Sequence, residues 1–255
     1  MKKTNDELNI NCLGKIDAQS IVFIHGVGSS LSNWVFHYSI LLMHQYKCIA
    51  YDLRGHGKSF YPQNGYRLKD HVTDVERIYE KFPTINRKIV AHSYGGNIAL
   101  QWAMLHGKEN DLLFILDSPE LPVPDDTIHS FLYDLQTVLN KDFSPTSSFA
   151  MKLSDSIKNN SETILRPAEN YKKRLNQLSE TNFEQEIVLD QPFSDEALAA
   201  IKCKVVLIYA KNDCNLNYAD RMMKKIQNCE LHIVDADHQL VTTHHKEIIE
   251  IIKQY

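Results

Sequence analysis

Six short apolar runs enriched in β-branched residues recur along the chain: IVFI at 21–24, KCIAYDL at 47–53, KIVAH at 88–92, DLLFILD at 111–117, CKVVLIYA at 203–210 and LHIVD at 231–235. Runs of this length that stay apolar instead of alternating read as strands buried on both faces, as in a parallel sheet covered by helices. Between them lie helical patterns. In Leu68 to Phe82 the residues Val72, Val75, Tyr79 and Phe82 recur at steps of three and four, and Ile248, Ile249, Ile251 and Ile252 mark a closing helix. Strand and helix in alternation imply right-handed βαβ units and a doubly wound, mostly parallel sheet. The segment LNINC is expected to add one short edge strand.

One interval breaks the rhythm. Residues 118–194 hold helix-forming sequence with polar interruptions and no convincing buried strand, which predicts a helical cap inserted over the carboxyl edge of the sheet. The expected organisation is a core of residues 1–117 and 195–255 with a cap of residues 118–194. The cap holds seven Lys/Arg against twelve Asp/Glu, so it carries a net charge of about −5 while the rest of a chain whose formal net charge is −4 is close to neutral. No basic field is present for a phosphate backbone, so nucleic acid is not an expected partner. No apolar stretch approaches about 18 residues and no apolar region follows the lysines at 2 and 3, so no membrane association is expected. Five scattered cysteines without a C-x-x-C fit a reduced, cytoplasmic protein.

In open parallel sheets ligands bind beyond the carboxyl ends of the strands, so the residues just after each strand carry the functional information. After KIVAH the chain runs through S-Y-G-G directly into a helical pattern, with Ala91, Gly95 and Gly96 as the small residues that so tight a turn demands. Such a turn holds the hydroxyl of Ser93 clear of the sheet, beside the free N–H groups that open the helix. A helix N-cap is the alternative role for Ser93. After the first run comes HGVGSS (25–30), and after the second DLRGHGKS (52–59).

These segments resemble the α/β-hydrolase family: A-H-S-Y-G is similar to its nucleophile elbow G-x-S-x-G, with Ala91 in place of the first glycine. HGVGSS resembles its HG-x oxyanion loop, and DLRGHGKS its D-x-R-G-x-G-x-S segment, whose role is structural. The resemblance implies an α/β-hydrolase fold with an inserted helical cap. Ser93 is the implied nucleophile, with the backbone N–H groups of Val27 and Tyr94 as oxyanion donors. The family's order of serine, acid and histidine then directs attention to later strands. Asp213, in KNDCNL after CKVVLIYA, occupies the family's commoner place for the acid. Asp117, after DLLFILD, is the alternative place. His238, in ADHQL, stands where the family's histidine lies, although Ala236 and Asp237 replace the usual glycines and no proline follows Asp213 at the common spacing. His25, His56 and His92 lie within the loop motifs and are expected to be scaffold.

The function implied is a serine carboxylesterase-type hydrolase acting on a small-molecule ester or thioester through an acyl-enzyme, without metal or other cofactor. An esterase for acyl groups carried by an acyl carrier protein, docking at Lys172, Lys173 and Arg174, is an alternative. So are a small-molecule receptor and a perhydrolase on the same fold. GVGSSL with Asp52 is a partial dinucleotide fingerprint, but Leu31 stands where its third glycine belongs. Asp235, Asp237, His238, His244 and His245 match no metal-ligand spacing such as H-E-x-x-H. Apolar cap residues such as Phe131, Leu135 and Phe143 fit an acyl pocket or ordinary core packing equally well.

Overall fold

The computed structural model describes residues 6–122 and 162–255, with no side-chain account of 162–168. Seven strands form one sheet: β1 (Ile10–Leu13), β2 (Ser20–Ile24), β3 (Lys47–Tyr51), β4 (Lys88–His92), β5 (Leu112–Leu116), β6 (Lys204–Ala210) and β7 (Cys229–Val234), in the order β1-β3-β2-β4-β5-β6-β7. All neighbours are parallel except β1, which runs antiparallel to β3. All six apolar runs are strands, and LNINC supplies the edge strand β1. Every residue of β2, β4 and β5 is buried, which is why these segments lack alternation. At the outer edge β7 is only partly covered, and Ile233 there is exposed.

Helices cover both faces. Leu68–Lys81 turns its Val72, Val75, Ile78 and Tyr79 into one core cluster, joined by Ile98 and Trp102 of the helix Tyr94–His106. The opposite cluster holds Phe23, Trp34, Tyr38 and the isoleucines of the last helix, His245–Ile252. The residues of 118–194 that are described form the helices Glu162–Ser179 and Phe183–Ile187, with no strand among them. Leu175, Leu178 and Phe183 are fully buried against the first cluster. Phe131, Leu135 and Phe143 lie outside the described residues.

The strand order reverses at β2: β3 lies on one side of it and β4 on the other. The loops leaving β2 and β4 therefore part to opposite sides and open a crevice at their carboxyl ends. HGVGSS leaves β2 and Ser93 follows β4.

Two buried histidines lace the loops around this crevice. His25 Nε2 accepts the Leu53 N–H at 3.0 Å and its Nδ1 donates to the Gly26 carbonyl at 2.8 Å. Reciprocally, His56 Nε2 accepts the Gly28 N–H at 2.9 Å while Nδ1 faces the Arg54 carbonyl at 3.1 Å. Each ring thus needs a lone pair on Nε2 and must be neutral. Burial pushes His25 down to about 4 and His56 down to about 3, from an unfolded value of 6.5. The unfolded chain therefore takes up protons first as pH falls below 6.5. Stability that is fully present at neutral pH is lost progressively toward pH 3. Chemical denaturation at pH 5 is expected to give about 2 kcal/mol less stability per histidine than at pH 7.5. His56→Gln should remove one such share of the difference; an unchanged pH dependence would show that His56 titrates normally.

The DLRGHGKS segment is tied into the same scaffold. Asp52 accepts from Asn9 Nδ2, the Leu31 N–H and the Lys58 N–H. Arg54 makes a bidentate, buried pair with Asp74 at 2.7 and 2.8 Å. With its side chains so occupied, the segment shapes the crevice from outside it.

Candidate active site

Ser93 sits between β4 and the helix Tyr94–His106 with φ 55° and ψ −130°, a conformation that L side chains rarely adopt. Such a residue costs about 1–3 kcal/mol and persists where its surroundings over-determine it. Here the Ser93 N–H donates to the Leu116 carbonyl at 2.9 Å, while the Ser93 carbonyl accepts from Ser118 Oγ and the Gly96 N–H. The Ser93 side chain makes no capping hydrogen bond to its helix, so the N-cap role does not describe it. Ala91 is buried within β4, paired to Ile24 and Ile115.

Close approach explains the glycines that matter. A Cβ on Gly26 would lie 2.8 Å from the Ser93 Cβ, and one on Gly95 would lie 2.7 Å from the Ile24 and His25 carbonyl oxygens. The oxyanion loop and the elbow can touch only because both positions are bare. In the loop, the Gly28 N–H is claimed by His56 and the Ser29 N–H by the Gly26 carbonyl. The Val27 amide has no acceptor among the described residues. Tyr94 opens its helix, so no residue one turn earlier takes its N–H.

His238 Nε2 lies 3.0 Å from Ser93 Oγ. Its Nδ1 lies 2.6 Å from Asp117 Oδ2 and 4.0 Å from Asp213 Oδ2. The carboxylate in hydrogen-bond contact with the histidine is therefore Asp117, and the acid favoured from sequence stands back from it. The reason is local. Asp117 directly follows β5 at φ 45°, and its Oδ1 accepts the Ala210 N–H at the end of β6 at 3.1 Å, which clamps the carboxylate across two strand ends. Asp213 lies three residues past β6, where the Asn215 N–H engages its Oδ1 at 3.0 Å. Burial alone would raise the Asp117 carboxyl, but the His238 hydrogen bond and charge, with the Ala210 N–H, hold it below the usual carboxylate range.

Two supporting residues carry no motif. Asn215 Nδ2 lies 3.2 Å from both the Asp117 carbonyl and its Oδ2, while its own N–H holds Asp213. Buried His92, pushed down to about 3 mainly by burial, packs its ring at a tilt 4.7 Å from the His238 ring and donates from Nε2 to the His238 carbonyl at 2.9 Å. A carboxamide two residues after the acid was the only sequence signal for Asn215. His92 was visible only as a scaffold residue before the serine.

Asp117, Asp213 and His238 also form a group of three with metal-ligand atoms within 4.8 Å of one another. A proton on Nδ1, shared with Asp117, leaves that nitrogen without a lone pair for a cation. Asp235, Asp237, His244 and His245 do not belong to the group.

A serine on a strained turn, a histidine in contact with it and a buried carboxylate behind the histidine, all at the carboxyl edge of a doubly wound sheet, define the architecture of an α/β hydrolase. The chain belongs to the alpha/beta hydrolase fold family, whose profile matches residues 19–241. It is similar to the Arabidopsis thaliana protein named "Probable lysophospholipase BODYGUARD 2", at 32% identity over 136 residues, 51% of this chain and 29% of that one. It is also similar to the Streptomyces lividans non-heme chloroperoxidase, at 34% identity over 95 residues, 36% of this chain and 34% of that one. The chain thus spans about a third or less of the length of these relatives. Its fold matches that of an Exiguobacterium antarcticum esterase with a TM-score of 0.74, at 18% identity over 97% of this chain and 94% of that one. No helix among the described residues is long and apolar enough to cross a membrane.

Proposed function

We propose that the protein is a serine hydrolase that cleaves a carboxylic ester or thioester through an acyl-enzyme. The observation that carries this reading is the unbroken line of contacts from Ser93 Oγ through His238 to Asp117, at 3.0 and 2.6 Å. Asp117 holds the imidazole with its proton on Nδ1, so Nε2 presents a lone pair to the serine hydroxyl. As Ser93 Oγ attacks the carbonyl carbon, its proton passes to Nε2, and the negative oxygen forms between the Val27 and Tyr94 amides. His238 returns the proton to the departing alcohol or thiol. Water then enters, gives a proton to His238, and releases the acid from Ser93 by the same steps. Asp213 lies beyond hydrogen-bond contact with Nδ1 and adds negative charge beside the imidazolium.

A free small-molecule substrate fits better than one borne on an acidic carrier protein. Of the three cations that would dock a carrier, Lys173 points outward and Arg174 turns inward to the Gly28 carbonyl. Cytoplasmic placement rests on the five cysteines, which form no disulfide. The similarity to a protein named as a non-heme chloroperoxidase favours a second reading, in which hydrogen peroxide replaces water and the acyl group leaves as a peracid.

A fluorophosphonate probe tests the common mechanism. Peptide mapping by mass spectrometry is expected to find one adduct, on Ser93, and an adduct on another residue or none at all would refute it. Supplying acetate and peroxide and assaying peracid separates the second reading from the first.

A further inference from the structure

Tyr171, Arg174, Leu175 and Leu178 fall on one face of the helix Glu162–Ser179, because residues three and four apart are neighbours on a helix. Leu175 and Leu178 are fully buried. The same face lies against the oxyanion loop: a Cβ on Gly28 would sit 2.5 Å from Tyr171 Cε2, and Arg174 Nε donates to the Gly28 carbonyl at 2.7 Å. Gly28 is next to Val27, and two residues span at most about 7 Å from Gly28 back to Gly26, which touches Ser93. The Arg174 guanidinium is therefore fastened to the same short loop that carries the Val27 amide and, two residues back, touches Ser93.

Among the described residues no carboxylate lies within 4.0 Å of this guanidinium. Asp52 is the acid that influences it most, and both of its oxygens are taken by other donors. The Tyr171 ring, 5.7 Å from the guanidinium carbon, offers a cation–π contact in place of an anion. Partial burial disfavours the charge. One neutral donor would suffice to hold the Gly28 carbonyl. Arginine places five N–H groups in a planar fork, and among the described residues only Nε has a hydrogen-bond acceptor.

We propose that Arg174 is a specificity residue for an ester that itself carries an anionic oxygen group, a carboxylate or phosphate, which the terminal guanidinium N–H groups grip while the ester carbonyl sits on the Val27 and Tyr94 amides. This rests on the serine-hydrolase reading of the same site. The fork matches the two oxygens of such a group, and the loss of water around a half-buried cation strengthens the contact.

Matched ester pairs test it. p-Nitrophenyl hemisuccinate differs from p-nitrophenyl butyrate by a carboxylate in place of the terminal methyl. 4-Acetoxybenzoate differs from phenyl acetate by a carboxylate on the alcohol side, and 4-acetoxyphenyl phosphate replaces that carboxylate with phosphate. The wild-type chain is expected to prefer the anionic member of one pair. Arg174→Gln should cut the anionic-to-neutral ratio of kcat/KM about 10- to 100-fold through KM, and Arg174→Lys should restore part of it. A ratio that stays within twofold in Arg174→Gln on both sides of the ester, with both members slowed alike, would show a mere brace for Gly28 and overturn the proposal. Calorimetry of methyl hemisuccinate and of inorganic phosphate on Ser93→Ala reads anion binding without turnover, and a matching loss in Ser93→Ala/Arg174→Gln is expected. Should Ser93→Ala still hydrolyse the neutral esters, the serine reading fails, and that result is separate from the anion preference.

Discussion

Replacing Ser93 with alanine is expected to lower turnover of a simple acyl ester by about 10⁴- to 10⁶-fold, with the fold unchanged. The two halves of this expectation come from different features of the turn. Chemically, the substitution removes the hydroxyl that His238 Nε2 faces at 3.0 Å, so under the proposed mechanism no nucleophile remains to be activated. The Val27 and Tyr94 amides and the binding surface survive, and these alone leave a residual acceleration over water. Structurally, the strained backbone at φ 55° is held by main-chain bonds to Leu116 and Gly96 and by Ser118 Oγ, none of which uses the Ser93 hydroxyl. Alanine meets the same backbone strain as serine. Stability should therefore shift by no more than about 1 kcal/mol, the net worth of one hydrogen bond. Initial rates with p-nitrophenyl butyrate, beside a denaturant titration, check both halves. Retention of more than a few per cent of the rate would remove Ser93 from the mechanism.

The sheet was legible because its strands are buried on both faces, so that β2, β4 and β5 appear in sequence as unbroken apolar runs. The elbow was legible for a steric reason. Where Gly26 and Gly95 face Ser93 and the Ile24 and His25 carbonyls at under 3 Å, only glycine can stand, and bare positions at fixed spacing make a motif. The acid was not legible in that way. A carboxylate reaches the histidine through side-chain geometry, and both Asp117 and Asp213 follow strands that end beside His238. Choosing between them depends on the Ala210 N–H and on the turn that carries Asn215, neither of which leaves a sequence pattern. The missing proline after Asp213 was the one hint that its loop departs from the commoner arrangement. Arg174 was equally hidden: among Lys172, Lys173 and Arg174 it read as one of three surface charges, and only the helix phase set by Leu175 and Leu178 turns it inward.

Asp117→Asn is expected to lower kcat by about 10³- to 10⁴-fold, against no more than about 10-fold for Asp213→Asn. The asymmetry follows from what each oxygen does now. Asp117 is fully buried, lies 2.6 Å from His238 Nδ1, and is held below the usual carboxylate range despite burial, so it stays ionised wherever the imidazole must carry charge. In an asparagine at 117 the carbonyl oxygen would be drawn to the Ala210 N–H, which the carboxylate accepts at 3.1 Å. That choice turns the amide –NH₂ toward Nδ1, where it demands a lone pair and drives the ring proton to Nε2. The proton would then point at Ser93, and the base would be blocked. Asp213 makes no such contact. Its Oδ1 is occupied by the Asn215 N–H and its Oδ2 stands 4.0 Å from Nδ1, so asparagine there removes a through-space attraction and leaves the tautomer unchanged. A single-turnover assay on both variants decides the matter, because the acylation rate reads the base directly. The opposite ranking, with Asp213→Asn the more damaging, would assign the orienting role to Asp213 and require the His238 ring to swing toward it as substrate binds.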